Sequence, residues 1–224
     1  MSLREPGAAE LFDRLREFSG FEEELALASG GAPQHAATVA NEALARCLVE
    51  PGEDPGAWRE RVAELALIER DRLLLELRRR SVGDEVRSRA GCPRCNASWQ
   101  VRFRISELPI ETRTAGAVSG VLPNGKTFRL RPLTAGDQAA LLEAGGRCDR
   151  LSATLARSLV EFGGRPGPFD EEEIAGWEGR DRDAFGEKLD EANPDLDIRL
   201  RLTCESCGSE IEAPFDPESF FLPS

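Results

Sequence analysis

Apolar residues recur along this chain with two different periods. Leu196, Ile198, Leu200 and Leu202 alternate strictly with Asp197, Arg199, Arg201 and Thr203, the two-residue period of a half-buried strand. Ile211, Ala213 and Phe215 resume that period after a short break, and Trp99, Val101, Phe103 and Ile105 show it earlier in the chain. Residues 126–133 place Phe128 and Leu130 beside two arginines in the same way. Pro123-Asn124-Gly125-Lys126 reads as a hairpin turn joining them to residues 117–122. The remaining apolar positions follow a helical period. Helices are expected over 35–49, 149–162 and 57–80, the last with a bend at 69–71 where the apolar phase slips. Residues 51–55, bounded by Pro51 and Pro55, break the chain before that stretch. A further, more acidic helix is expected to begin near Asp181. Ser19 with Glu22, and Thr134 with Asp137, stand at capping-box spacing ahead of two shorter helices. Those helices run towards the glycine pairs at 30–31 and 145–146, which suit C-terminal caps.

The pattern is written twice. Residues 69–103 shifted by 112 lie on 181–215 without a gap, so that Arg70, Asp71, Leu77, Arg87, Arg89, Cys92, Cys95 and Phe103 meet Arg182, Asp183, Leu189, Arg199, Arg201, Cys204, Cys207 and Phe215. A weaker block repeats at a shift of 115, carrying residues 15–19 onto 130–134. Residues 8–18 fit helix or strand alone, and their counterpart at 126–133 favours strand. The chain therefore reads as an α+β protein built from a duplicated strand-helix unit, with a first copy over 1–112 and a second over 113–224 in one compact pseudo-symmetric domain.

Each copy ends in a C-x-x-C step, Cys92-Pro93-Arg94-Cys95 and Cys204-Glu205-Ser206-Cys207, bracketed by strand-forming residues. Asn96 and Gly208 follow, residues that tolerate a left-handed backbone. Two such knuckles supply four thiolates, the closed tetrahedral shell of structural zinc in a zinc-ribbon-like site. A single C-x-x-C also serves as a redox pair, but two with matching flanks favour the metal. Cys47 sits in an apolar helix and reads as a small buried hydrophobe, while Cys148 lies in a loop with no evident base nearby.

Charge and composition narrow the function. The formal charge is −12, the wrong sign for coating a nucleic-acid backbone. One histidine, His35, leaves little room for a catalytic triad or imidazole ligation, and four cysteines around a zinc leave no open position for zinc catalysis. No catalytic residue is assigned. Residues 170–197 hold 12 acidic against 3 basic side chains, which reads as a solvated helix surface. Arg78-Arg79-Arg80 stands at a helix C-terminus, where cations oppose the dipole. The stretch 163–167 lacks the Lys-Ser/Thr ending of a phosphate loop and reads as a linker. Neither a signal-peptide core nor a membrane-length apolar run is visible, so a cytoplasmic location is expected.

Residues 198–221, Phe128 to Asp137 and Arg70 to Arg80 together resemble the bacterial relatives of the T-even phage baseplate hub assembly chaperone, found in phage tails and phage-tail-like contractile injection systems. The resemblance spans most of 60–221 and less of the first 50 residues, and its cysteine pairs match positions 92, 95, 204 and 207. It implies a non-enzymatic structural or assembly protein whose partners are baseplate, hub or spike proteins. The alternative, from the knuckles alone, is a zinc-ribbon nucleic-acid-binding protein. At the C-terminus Asp216 and Pro217 suit the start of a helical turn, and Phe220, Phe221 and Leu222 either fold back on the core or anchor a partner.

Overall fold

The computed structural model describes residues 8–28, 35–108, 114–144, 149–194, 196 and 198–214. The first part of the chain is helical: α1 (Ala8–Arg14), α2 (Gly20–Ala28), α3 (Ala36–Leu48), α4 (Pro55–Glu64) and α5 (Leu67–Val82). It leads into an antiparallel hairpin, β1 (Glu85–Gly91) with β2 (Ser98–Arg104). Next come β3 (Val118–Val121), β4 (Thr127–Leu130), α6 (Ala135–Glu143), α7 (Arg150–Ser158), β5 (Leu159–Phe162) and β6 (Arg165–Pro166). These four strands form one antiparallel sheet in the order β3-β4-β5-β6. Two helices, α8 (Glu171–Ala175) and α9 (Gly179–Ala192), precede a second hairpin, β7 (Arg199–Thr203) with β8 (Glu210–Pro214). The fold is α+β.

Three apolar cores hold these elements. Leu11, Leu44, Leu48, Trp58, Val62, Leu73, Leu74 and Leu77 join α1, α3, α4 and α5. Leu130, Leu155, Phe162, Ile174, Phe185 and Leu189 join the sheet to α7, α8 and α9. In that second core Phe128 crosses to lie over Gly120, where a Cβ would come within 2.5 Å of the ring, so the close approach requires glycine. The third core is smaller and lies between the halves: Ile68 and Leu75 of α5, Val86 of β1, Ile105, and Leu196 and Ile198 on the way into β7.

Polar contacts lock the halves where α6 crosses the N-terminal helices. Arg70, 1% exposed, reaches Gln138 of α6 at 2.6 Å and Asn41 of α3 at 3.3 Å, and its Nε lies 2.7 Å from Asp71. Asn41 in turn donates to the Ala135 carbonyl. Burying a guanidinium is tolerable only with such a set of acceptors. The backbone contributes as well, with Leu67 N–H bonded to Leu133 O and Ala135 N–H to Leu65 O.

Several expectations need correction. Residues 8–18 are not a strand: 8–14 form α1, which buries Leu11, while Leu15 beyond it is also buried. Among the described residues no strand lies beside them, and the first part of the chain shows no counterpart there of the β4 that the weaker repeat implied. The helix expected over 149–162 ends at Ser158, because Leu159, Glu161 and Phe162 pair with β4. The break in 57–80 falls at Leu65–Ala66 and not at 69–71, since Leu65 and Ala66 leave the helix to pair with 133–135. Residues 163–167 are no linker: Gly163 (φ 58°) and Gly164 (φ 79°) make the tight turn between β5 and β6. The Asn124-Gly125 turn, the α3 span and the burial of Cys47 agree with the sequence reading. So does the capping box of Thr134 with Asp137. Positions 30–31, 145–146 and Cys148 lie outside the described residues.

Glu22 supplies the clearest pH-dependent contribution to the fold. Burial works against its charge, yet Arg16 at 2.8 Å, the Ser19 hydroxyl at 2.7 Å and the Ser19 N–H at 2.8 Å hold the carboxyl down at about 2. A depressed folded-state pKa adds stability that is complete above the unfolded value near ~4.3 and is lost as pH falls through about 2. Arg16 is largely open to water, so the contribution is about 1–2 kcal/mol, below what the bare shift would give. Glu22→Gln should lower stability by that amount at neutral pH, and the gap should narrow below about pH 4 and close as pH falls through about 2. A denaturant series across pH that finds a constant difference would contradict this assignment.

Candidate metal centre

The two hairpins point their turns at one another. In the first, Cys92 N–H bonds Ala97 O at 2.8 Å and Asn96 N–H bonds Cys92 O at 2.9 Å. In the second, Cys204 N–H bonds Ser209 O and Gly208 N–H bonds Cys204 O, each at 2.9 Å. Asn96 (φ 56°) and Gly208 (φ 69°) both adopt the left-handed conformation that lets the chain reverse over the first cysteine. Strand register agrees too. Gly91 faces Ser98 and Arg89 faces Gln100 in one hairpin; Thr203 faces Glu210 and Arg201 faces Glu212 in the other. These positions correspond at the same shift of 112 residues, and so do the helix starts at Leu67 and Gly179.

Four sulfurs converge as a result. Cys92 Sγ lies 3.7 Å from Cys207 Sγ, and Cys95 Sγ lies 3.7 Å from Cys204 Sγ, with all four within 4.8 Å of one another. The first cysteine of each turn is buried and the second exposed. Disulfide sulfurs would stand at about 2.05 Å, so these pairs are thiols. Tetrahedral ligands on bonds of about 2.3 Å would be spaced by about 3.8 Å, and the donor set therefore fits a closed four-sulfur site. The structure brings together all four cysteines singled out from the sequence. Phe220, Phe221 and Leu222 lie outside the described residues.

Electrostatics make the cluster strained as bare thiols. The Ser209 hydroxyl and N–H pull Cys207 down to about 6. Cys95 accepts from the Ala97 N–H, yet the neighbouring sulfurs push it up to about 12. The opposite directions have one cause, since four thiolates at these distances repel without a cation between them. Ser209 and Arg94 also join the turns directly, Arg94 Nη1 lying 3.2 Å from Ser209 Oγ. Sequence reading passed over Ser209; its only signal is its place two residues after Cys207. The remaining described thiol, Cys47, is fully buried in the N-terminal core, and burial raises it to about 12. His35 is exposed at the start of α3 and remote from this chemistry in sequence and role.

The burial order gives a direct test on reduced, metal-free protein. Cys95 and Cys207 should react with a thiol reagent first, Cys92 and Cys204 more slowly, and Cys47 only on unfolding. Mass spectrometry of partly labelled protein reads the order, and early labelling of Cys47 would contradict the packing described.

No curated protein and no solved structure matches the chain. Among the described residues no helix is long and apolar enough to cross a membrane. One family model does match: residues 14–120, just under half the chain, are similar to the family described as T4 bacteriophage base plate protein. That span includes Cys92 and Cys95, takes in most of the first 50 residues, and stops short of the second cysteine pair. Similarity of this extent supports a baseplate structural protein of phage, with a four-cysteine cluster able to hold a metal ion.

Proposed function

We propose that this chain is a non-enzymatic structural or assembly protein of a contractile, phage-tail-like baseplate, built from one unit written twice and joined by a structural zinc on Cys92, Cys95, Cys204 and Cys207. The observation that carries the reading is the family match over residues 14–120, which takes in the whole hairpin bearing the first cysteine pair. Zinc is favoured over a redox role because four sulfurs share one site in pairs drawn from both hairpins, and no lone dithiol is set apart. The duplication is supported by the common register, the common turn hydrogen bonds and the helix start that precedes each hairpin by the same distance.

Assembly work is the finer part of this reading. A baseplate protein held together at one end by a metal presents its remaining surface to neighbours, and we place hub, tube or spike proteins among them. Phe220, Phe221 and Leu222 follow shortly after the second hairpin and supply an apolar anchor for such a neighbour. Residues 1–112 and 113–224 are the two units of one domain, alike in the helix and hairpin that end each and different in the elements before them.

Three measurements test the proposal. Metal analysis of purified, reduced protein should find about one zinc per chain, and Cys92→Ser should lose it and melt well below the parent protein. A folded, reduced sample with no metal would refute the site. Expression within its gene cluster should yield complexes with tube, sheath or spike proteins. Truncation after Glu218 should leave the melting temperature unchanged while releasing that neighbour. Purification alone from the intact cluster would refute the baseplate assignment without touching the metal site.

A further inference from the structure

The outer faces of the two hairpins differ in a way that the common register exposes. In the second, Arg201 stands opposite Glu212 and both Arg199 and Arg201 lie within 3.9 Å of that carboxylate. The first has Gln100 in the equivalent place, and its outer face carries Arg87, Arg89, Arg102 and Arg104 against Glu85 alone. Arg87 faces Arg102 directly across the strands, a like-charged pair that costs stability. Glu85 is engaged by Arg87 at 2.7 Å. Among the described residues Arg89, Arg102 and Arg104 make no ion pair within 4 Å, although Arg104 faces Glu85 across the strands and draws on Asp84, so the face keeps an excess of positive charge.

A complementary excess lies on α9. Asp183, Glu187 and Asp190 stand at i, i+4 and i+7, all exposed on one side of the helix, and make no ion pair among the described residues. Lys188 is taken by Glu191 at 2.5 Å, and Arg180 lies 3.6 Å from Glu178. Carboxylates one turn apart step by about 6 Å, and arginines two apart on a strand step by about 6.7 Å, so the two rows match in pitch. Each row carries a repulsion that the other would relieve.

We propose that the β1–β2 face of one molecule docks on α9 of a second molecule, a head-to-tail contact between copies of this chain. Because the two surfaces are different, the contact propagates: each assembly keeps one free acidic and one free basic end until it closes, and the result is a ring or an open chain. A long nucleic acid fits this face less well. Four arginines on one short hairpin are flanked by Asp84, Glu85 and Glu107 on a chain of charge −12, and among the described residues no exposed aromatic side chain interleaves with them. The inference does not depend on the baseplate reading.

Sedimentation velocity of the full chain at about 10–100 µM in low salt tests it. The protein should associate beyond a dimer and dissociate as salt shortens the Debye length. Arg102→Glu/Arg104→Glu and Asp183→Arg/Glu187→Arg should each weaken self-association roughly tenfold or more, with melting temperature unchanged. Arg129→Glu/Arg150→Glu alters net charge as the first variant does, and should associate like the parent. Mixing the two interface variants should restore association beyond a dimer, since the native acidic α9 of one meets the native basic hairpin of the other and the two reversed faces are again opposite in charge. A monomeric parent protein, or reversal variants that associate normally, would overturn the proposal. So would a parent protein that stays monomeric and binds a duplex oligonucleotide through Arg102 and Arg104.

Discussion

Four sulfurs within 4.8 Å of one another impose the condition that everything around them serves. Such a cluster needs either protons or a cation, and protons are shared unevenly there, with Cys207 drawn down and Cys95 pushed up. The turns that present the sulfurs are specified locally by a left-handed residue and two backbone bonds each. What brings the turns together is not local at all. It is the central core, where Leu196 and Ile198 pack against Ile68 and Leu75 of α5, and the crossing of α6 over the N-terminal helices.

Arg70 shows how that crossing is made specific. A leucine in its place would fill the space between α3, α5 and α6 and satisfy the hydrophobic effect alike. The guanidinium instead demands Gln138 and Asn41 at fixed positions, so only one arrangement of α6 satisfies it. Its counterpart at the shift of 112, Arg182, does something else: it reaches Asp149 at the start of α7 and the Ala175 carbonyl at the end of α8. The same residue at the same helical position ties a different neighbour, because the first part of the chain surrounds α5 with helices and the second surrounds α9 with sheet.

That difference also explains what could be read from the sequence. The hairpins, their turns and the four-cysteine convergence were legible, since two-residue alternation and C-x-x-C spacing act over a few residues. Thr134 with Asp137, and the exposed acidic face of α9, were legible for the same reason. Residues 8–18 were misread when the weaker repeat was allowed to decide a segment that is ambiguous by itself. The run 159–162 continues the helical period of α7, and only its pairing with β4 makes it a strand. The break at Leu65–Ala66 depends on backbone partners at 133–135, more than sixty residues away. Nothing in the local pattern announces them.

A two-stranded hairpin is marginal alone in water. The first is supported by Val86 and Ala90, both buried, whereas in the second Leu200, Leu202, Ile211 and Ala213 are only partly covered among the described residues. The second hairpin therefore relies more on its far end than the first does. With the proposed ion in place, that far end is fastened to the better-supported hairpin, and the constraint closes a loop running from Cys95 to Cys204. The chain within that loop contains the whole four-stranded sheet and the helices α6 to α9. A metal at the tip would thus act on the folding of the entire second half, through a contact that touches none of its core side chains.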